Sequence, residues 1–164
     1  MKLKSVVATA VLAAASFSAS AATYDLGTLN PAGFDTLFDT SADFGANEAI
    51  NDTWTFTLLT PSSTSFSALQ TFATSAGQIM NFSAVLNGVS FGAPTLEAGS
   101  QTLSWTDFLA AGQYSVSITG MTGLAGAQYG ATVSAQPVPE PETYAMMLGG
   151  LALLGAVARR KAKK

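Results

Sequence analysis

Apolar and polar residues alternate along the middle of the chain. From Thr53, the apolar side chains of Trp54, Phe56 and Leu58 alternate with threonines, and a period of two is that of a strand with one buried face. The same alternation returns at residues 66–72, 80–86, 114–118 and 129–133. The pattern predicts roughly five to eight short strands, with the Trp54 side of the first one in the core.

Turn residues separate these segments, and no long amphipathic helix interrupts them. Asn87-Gly88 follows one strand directly, and further glycines and prolines lie between the others, as tight connections require. Short antiparallel strands of this kind favour an all-β fold, an antiparallel β-sandwich of the jelly-roll type. Each sheet would then have one face in water, where we expect the many serines and threonines.

The beginning of the chain has the pattern of a secretory signal peptide. Lys2 and Lys4 precede an apolar run at 6–15, and small residues follow at 18–22, the arrangement that signal peptidase recognises. Cleavage after Ala21 would use Ala19-Ser20-Ala21 as the small-residue box, and cleavage after Ala22 would use Ser20-Ala21-Ala22. Dividing the chain after Ala22 gives a leader at 1–22 and one exported domain at 23–136.

The end of the chain has three parts: a proline-rich segment at 137–143, an uncharged segment at 144–158 and a basic tail at 159–164. The prolines keep the first part extended and exposed. As a helix, the second part spans roughly 22 Å, less than the ~30 Å hydrocarbon core of a bilayer. Tyr144 at one interface and long basic side chains at the other compensate for the short length.

We therefore predict a single C-terminal transmembrane helix over 144–158. Its stop-transfer residues are Arg159, Arg160 and Lys161, and the positive-inside rule places the C-terminus in the cytoplasm. The alternative, a helix docked on the core of the domain, is disfavoured because basic residues crowd its end.

Charge is distributed unevenly along the chain. Every lysine and arginine lies in the terminal segments, and residues 23–136 contain no histidine either. Nucleic-acid binding is excluded because phosphate contacts need cationic side chains, and ion pairs between side chains cannot stabilise the domain. Since the chain has no cysteine, disulfides and thiolate metal sites are excluded as well. The acidic residues of this range are Asp25, Asp35, Asp39, Asp43, Glu48, Asp52, Glu97 and Asp107.

Three of these carboxylates are weak candidates for a calcium site. Asp35, Asp39 and Asp43 are four residues apart, so on a helix they would share one face and repel each other. Ca²⁺ would relieve that repulsion, and a solvated acidic loop is the other interpretation. We expect no other cofactor. Asp52 is interpreted as a turn or backbone-capping residue, and Trp105 as either a sugar-binding aromatic or a core residue.

We do not expect an enzyme. Without histidine, the usual serine hydrolase mechanism lacks its base, and a two-carboxylate glycosidase is the one familiar mechanism compatible with this composition. A domain of this length leaves little room for a substrate cleft beside its core.

The tail resembles a known family signature. Val138-Pro139-Glu140-Pro141, Leu148-Gly149-Gly150-Leu151 and the terminal Arg-Arg-Lys look like the PEP-CTERM sorting signal of Gram-negative bacteria. The resemblance implies recognition of the Pro139-Glu140-Pro141 triplet by a membrane protease-transpeptidase of the exosortase type. It also implies export through the Sec translocon, transient anchoring in the inner membrane, and delivery to the cell surface or extracellular matrix.

The domain itself is similar to the FxDxF subgroup of PEP-CTERM proteins. The similar segments are 52–58, 81–86 and 111–120, although Ile50 and Trp54 stand where the subgroup has phenylalanines around Asp52. The resemblance implies association with extracellular polysaccharide in biofilms. We therefore expect a non-catalytic surface or matrix protein. The alternative is a carbohydrate- or calcium-binding module delivered by the same route.

Overall fold

The computed structural model describes residues 19–30, 32–138 and 141–161. Within these ranges the chain forms β-strands, one short 3₁₀ turn at Ser75–Gly77 and one α-helix. The elements are β1 (Ala19–Ser20), β2 (Thr23–Leu29), β3 (Asp35–Thr40), β4 (Ala49–Leu58), β5 (Ser62–Thr71), β6 (Met80–Leu86), β7 (Val89–Ser90), β8 (Thr95–Glu97), β9 (Ser100–Leu109), β10 (Gly112–Met121), β11 (Gly130–Pro137) and α1 (Pro141–Lys161).

The strands form two sheets. The first sheet has the order β1-β4-β10-β6-β7, with β2 also beside β4, and the second has the order β3-β11-β5-β9-β8. Pairing is antiparallel except that β1 and β2 run parallel to β4. The prediction of an antiparallel β-sandwich is confirmed apart from that parallel edge. The finer prediction, a jelly-roll connection, goes beyond what this order establishes and stays a prediction.

The core lies between the two sheets and follows the alternation in the sequence. Along β4, Trp54, Phe56 and Leu58 are buried, as are Phe66 and Ala68 of β5 in the facing sheet. Because side chains on a strand point to opposite faces in turn, the intervening threonines face outward. The core position predicted for Trp54 is confirmed.

The alternation did not indicate the three longer strands β2, β3 and β9, nor the short strands β1, β7 and β8. In β9 only Gln101 and Leu103 are buried, so the apolar alternation is too short to recognise. β3 is an edge strand with no fully buried residue, and an edge strand need not alternate. Strand β2 alternates irregularly because its register shifts between Asp25 and Gly27.

The outward faces of both sheets are rich in hydroxyl groups, as expected. On the second sheet, for example, Ser65 lies opposite Thr106 on one side and Ser134 on the other. On the first sheet, Ser117 lies opposite Thr53. With no cationic side chains available, hydroxyls provide the polar surface that the domain needs in water.

A buried amide cluster attaches the 3₁₀ turn and its connection to the second sheet. The Gln70 Oε1 atom accepts from the Gln101 side chain at 2.6 Å and from the backbone N–H of Ile79 at 2.9 Å. Gln101 also donates to the Ile79 carbonyl at 2.9 Å. Both glutamine side chains are almost fully buried, and a buried polar group is tolerated only when it is bonded in this way.

Substituting Gln101 tests this cluster. In Gln101→Leu the amide donors are lost, so the Ile79 carbonyl is left buried without that partner, and the free energy of unfolding should fall by about 1–3 kcal/mol. Urea denaturation measures the change. The control is Gln113→Leu, because Gln113 is exposed on β10. Equal stability of the two variants would contradict a stabilising role for the cluster.

The C-terminal helix is confirmed, but its predicted membrane-spanning character is not. Helix α1 includes all of 144–158. Among the helices of the described ranges, none is both long and apolar enough to cross a bilayer. The physical reason is composition: charged residues lie at both ends of α1, and Gly149, Gly150 and Gly155 with several alanines dilute the leucines between them, which lowers the mean hydropathy of the span.

Candidate functional site

The segment 137–143, predicted to be extended, is shared between the sandwich and the helix, because its last three residues are already helical. Strand β11 ends at Pro137, and Val138 is exposed beside it. Pro139 and Glu140 of the predicted triplet lie outside the described residues, and Pro141 is the first residue of α1. Proline suits that position because its missing N–H would have no helical partner there. The last residue of the triplet therefore belongs to the first turn of the helix.

The predicted stop-transfer residues lie at the other end of the same helix. Arg159 and Arg160 are exposed in its last turn, and Lys161 is its final residue. Cationic side chains are favourable at a helix C-terminus, where they oppose the helix dipole. Pro141 and the basic residues thus lie at opposite ends of α1.

Asp52 is buried inside β4, rather than in the turn before it that the sequence suggested. One carboxylate oxygen, Oδ2, accepts from the Tyr129 hydroxyl at 2.6 Å. The other, Oδ1, accepts from the backbone N–H of Ala22 at 3.1 Å. The local turn or backbone-capping role predicted for Asp52 is therefore not what the structure has: the backbone N–H that Asp52 binds belongs to a residue 30 positions away, and the tyrosine partner was not foreseen.

Tyr129 connects the two sheets through the same cluster. It precedes β11 of the second sheet, and its hydroxyl accepts from the Trp54 indole N–H of the first sheet at 2.8 Å. The indole is covered by the Tyr24 ring, stacked at a centroid distance of 4.3 Å. Tyr129, Trp54 and Asp52 are all buried. A substrate therefore has no access to this cluster, and its role is to hold the sheets together.

Burial controls the protonation of both partners. It raises the pKa of Asp52, although the bonds from Tyr129 and Ala22 act in the opposite direction and the nearby Glu48 carboxylate adds to the increase. Burial, together with the bond to Asp52, also raises the pKa of Tyr129. The phenol therefore remains a donor at physiological pH.

The calcium candidates are not brought together. Asp35 and Asp39 lie on the edge strand β3, and Asp43 is exposed in the following loop. Asp35 accepts from the Asn30 N–H at 2.9 Å, and Asp39 accepts from the adjacent Thr40 N–H at 2.8 Å. Within the described ranges, no group of three or more acidic side chains is arranged to hold a metal.

Trp105 packs at the margin of the core. It lies opposite the buried Phe66 across β5 and β9, so it points to the inner side of the second sheet. Its ring stacks on Phe91 at a centroid distance of 6.0 Å, and it is half-buried. Of the two interpretations of Trp105, the packing favours the core.

A different aromatic residue, Phe38, is exposed to solvent on the outer face of the second sheet. Phe38 on β3 is 65% exposed and lies over Gly130, where an added Cβ would come within 2.7 Å of its ring. Beside it is a shallow cavity of about 280 Å³. Its lining includes Phe38, Thr40, Ser67, Leu69, Gly130 and Thr132. We call this set the Phe38 face.

The Phe38 face is not indicated by the sequence pattern. Phe38 lies in the acidic segment that gave no strand pattern, and its neighbours come from three strands that are distant in sequence. The only available indication was Gly130 at the start of a strand, because glycine in a strand often marks a close approach of another group.

Comparison with known proteins identifies the tail. Residues 137–161 match the family model of the PEP-CTERM protein-sorting motif, which confirms the predicted sorting signal; the FxDxF subgroup stays a prediction. No curated protein matches the chain. Among solved structures, the chain is similar to the pre-peptidase C-terminal domain of a collagenase from Bacillus anthracis, with 11% identity, 70% of this chain and 95% of that chain covered, and a TM-score of 0.40.

Removing the Tyr129 hydroxyl tests the buried cluster. Tyr129→Phe leaves Asp52 Oδ2 and the Trp54 N–H without this partner, so the free energy of unfolding should fall by about 2–3 kcal/mol. The matched control is Tyr114→Phe, because the Tyr114 hydroxyl donates to the Ala110 carbonyl in an exposed position. Its loss should be at most about 1 kcal/mol. Urea denaturation of both variants checks the difference, and equal losses would contradict it.

Proposed function

We propose that this chain is an exported, non-catalytic protein of the cell surface or extracellular matrix, sorted through its C-terminal segment by an exosortase-type membrane protease. The match of residues 137–161 to the PEP-CTERM protein-sorting motif carries the proposal. The Sec translocon and the exosortase are its processing partners. Extracellular polysaccharide is the proposed surrounding, as in a biofilm.

The layout of the tail supports a temporary hold on the inner membrane. The helix ends in Arg159, Arg160 and Lys161, which would remain on the cytoplasmic side, while the sandwich precedes it on the other side. The uncharged part of the helix, 144–158, is short and diluted by glycine, so it interacts weakly with a bilayer, since insertion depends on apolar length. A weak hold suits a segment that is removed once the protease has cut at the triplet.

The domain supports a role without catalysis. Among the residues that the structure describes, the one fully buried carboxylate is that of Asp52, and it is bonded to Tyr129 and Ala22 and closed to solvent. The carboxylates of β3, half-buried Asp35 and exposed Asp39, are bonded to nearby backbone N–H groups. General acid–base catalysis needs a titratable group within reach of a substrate, and neither arrangement offers an acid paired with a nearby base.

Processing at the triplet is directly testable. The full chain is expressed in a bacterium that makes an exosortase, and the intact mass of the extracellular protein is measured. We expect wild type to lack its basic tail and Glu140→Gln to retain it in the membrane fraction. Glu142→Gln, which removes the same charge two residues later, should be processed like wild type.

The same measurement in a host deleted for its exosortase completes the test. Retention of the tail in that host supports the assignment of the enzyme. Recovery of extracellular wild-type protein with residues 159–164 still attached would contradict the proposed function.

The second candidate function is carbohydrate binding at the Phe38 face. An exposed aromatic ring beside hydroxyl groups is suited to binding a sugar. The ring stacks on the apolar face of the sugar, and the protein hydroxyls form hydrogen bonds with the hydroxyl groups of the sugar. The Phe38 face offers that combination, whereas Trp105 points inward. Calcium binding, the other part of this alternative, gains no support, because Asp35, Asp39 and Asp43 do not converge on a common point.

Binding is tested by pull-down of the exported protein with the polysaccharide of its own host. Phe38→Ala should weaken binding about tenfold, which corresponds to ~1.4 kcal/mol. Phe108→Ala is the matched control, because Phe108 is also exposed but lies opposite Ser63, near the other end of β5. Equal binding by wild type and Phe38→Ala would contradict a sugar site on this face.

A further inference from the structure

The backbone of Ala22 is fixed to the domain at both of its polar atoms. Its N–H donates to Asp52 Oδ1 at 3.1 Å, and its carbonyl accepts from the Thr53 N–H at 2.8 Å. Strand β2 begins at the next residue. The Asp52 carboxylate and the Thr53 N–H belong to adjacent residues of β4. They lie at the junction between the part of β4 that pairs with β1 and the part that pairs with β2.

Ala22 is also one of the two residues at which the predicted leader could end. Cleavage after Ala22 would remove both hydrogen bonds and leave Asp52 Oδ1 buried without that donor, which is costly for a carboxylate. Cleavage after Ala21 keeps both bonds. It removes only β1, whose two residues pair with Ala49 and Ile50 at the end of β4.

We propose that the leader is cut between Ala21 and Ala22, and that the new α-ammonium group of Ala22 forms an ion pair with the buried carboxylate of Asp52. This inference rests on the proposed export. The mature domain then begins at Ala22 instead of Thr23. Ala19-Ser20-Ala21 is the small-residue motif that signal peptidase recognises.

The chemistry is a hydrolysis. Water is the co-reactant: the Ala21–Ala22 amide bond breaks, the hydroxyl of water joins the Ala21 carbonyl carbon, and the Ala22 nitrogen takes the hydrogen. At neutral pH that amine then binds a further proton from solvent, because the pKa of an α-amino group is ordinarily about 7.7–8.0. No oxidant, metal or cofactor is needed.

The electrostatics of the cluster favour this pairing. Residues 23–136 contain no lysine, arginine or histidine, so the α-ammonium would be the only basic group in the mature domain. The titratable groups that face Asp52 are Tyr129, which donates to its other oxygen, and Glu48, whose negative charge acts on it; Tyr24 in turn acts on Tyr129. A cation at hydrogen-bond distance favours an ionised carboxylate in such surroundings.

The pairing would couple processing to stability. While the leader is attached, Asp52 receives only a neutral amide N–H from Ala22. After cleavage it receives a charged donor, and charge-assisted hydrogen bonds are roughly twice as strong as neutral ones. The domain would therefore reach its full stability only once the leader has been removed.

The first test is N-terminal sequencing of the full chain after export. A mature protein that begins with Ala22 is expected. A mature protein that begins with Thr23, or at any other residue near the junction, overturns the inference but leaves the proposed function intact. A chain retained in the cell with Met1 in place contradicts the proposed export itself, so the two failures are distinguishable.

The second test is the stability of the mature protein between about pH 7 and pH 9. Pairing with Asp52 raises the folded-state pKa of the α-amino group above its unfolded value. Its stabilisation is therefore fully present below the unfolded pKa and is lost as the pH rises through the folded pKa. The urea midpoint of wild type should fall across this window.

Asp52→Asn removes the charge and keeps a group of similar shape. Its urea midpoint should be nearly constant across the same window. Asp25→Asn is the matched control, because Asp25 is exposed on β2 and bonds to the Gly27 N–H, and it should retain the wild-type slope. If Asp52→Asn does not fold, titration of the wild-type α-amino group by NMR decides the question. A native-state pKa no higher than that of the urea-unfolded chain overturns the inference.

Discussion

A carboxylate buried in a domain without cationic side chains is the constraint on which the rest of this structure depends. In other proteins the charge of a buried aspartate is commonly balanced by an arginine or lysine, but residues 23–136 of this chain contain neither. Here the compensation comes from a phenol of the opposite sheet and a main-chain N–H at the start of the domain. Because one donor belongs to the second sheet and the other to the parallel edge of the first, the same carboxylate links three parts of the fold.

The two faces of each sheet differ in composition. Aromatic and aliphatic side chains fill the space between the sheets, and buried amides and hydroxyls are bonded so completely that no buried side-chain nitrogen or oxygen in the described ranges lacks a partner. The outer faces rely on serine and threonine. Such a surface offers hydroxyl groups and a few exposed aromatic side chains, such as Phe38, to its surroundings.

The sequence predicted the elements whose pattern is local. Trp54, Phe56 and Leu58 gave the central strand because one face of it is buried and the other is wet, and the tail was recognisable from contiguous residues. The parallel edge could not be predicted, since it depends on main-chain pairing between β2 and β4. Neither could the Asp52–Tyr129 bond or the Phe38 face, because each joins residues that only the tertiary fold brings together. The uncharged run predicted membrane crossing by α1, but its glycines and alanines make the helix less apolar than a bilayer-spanning helix.

The lack of basic side chains on the sandwich has a further consequence for its life outside a cell. Proteases of the trypsin class require lysine or arginine at the bond they cut, and the described strands from β1 to β11 offer neither. Even a transiently unfolded copy would present no cleavable bond to them. Resistance of the sandwich to that one class of protease would then follow from residue composition as well as from the strength of the fold.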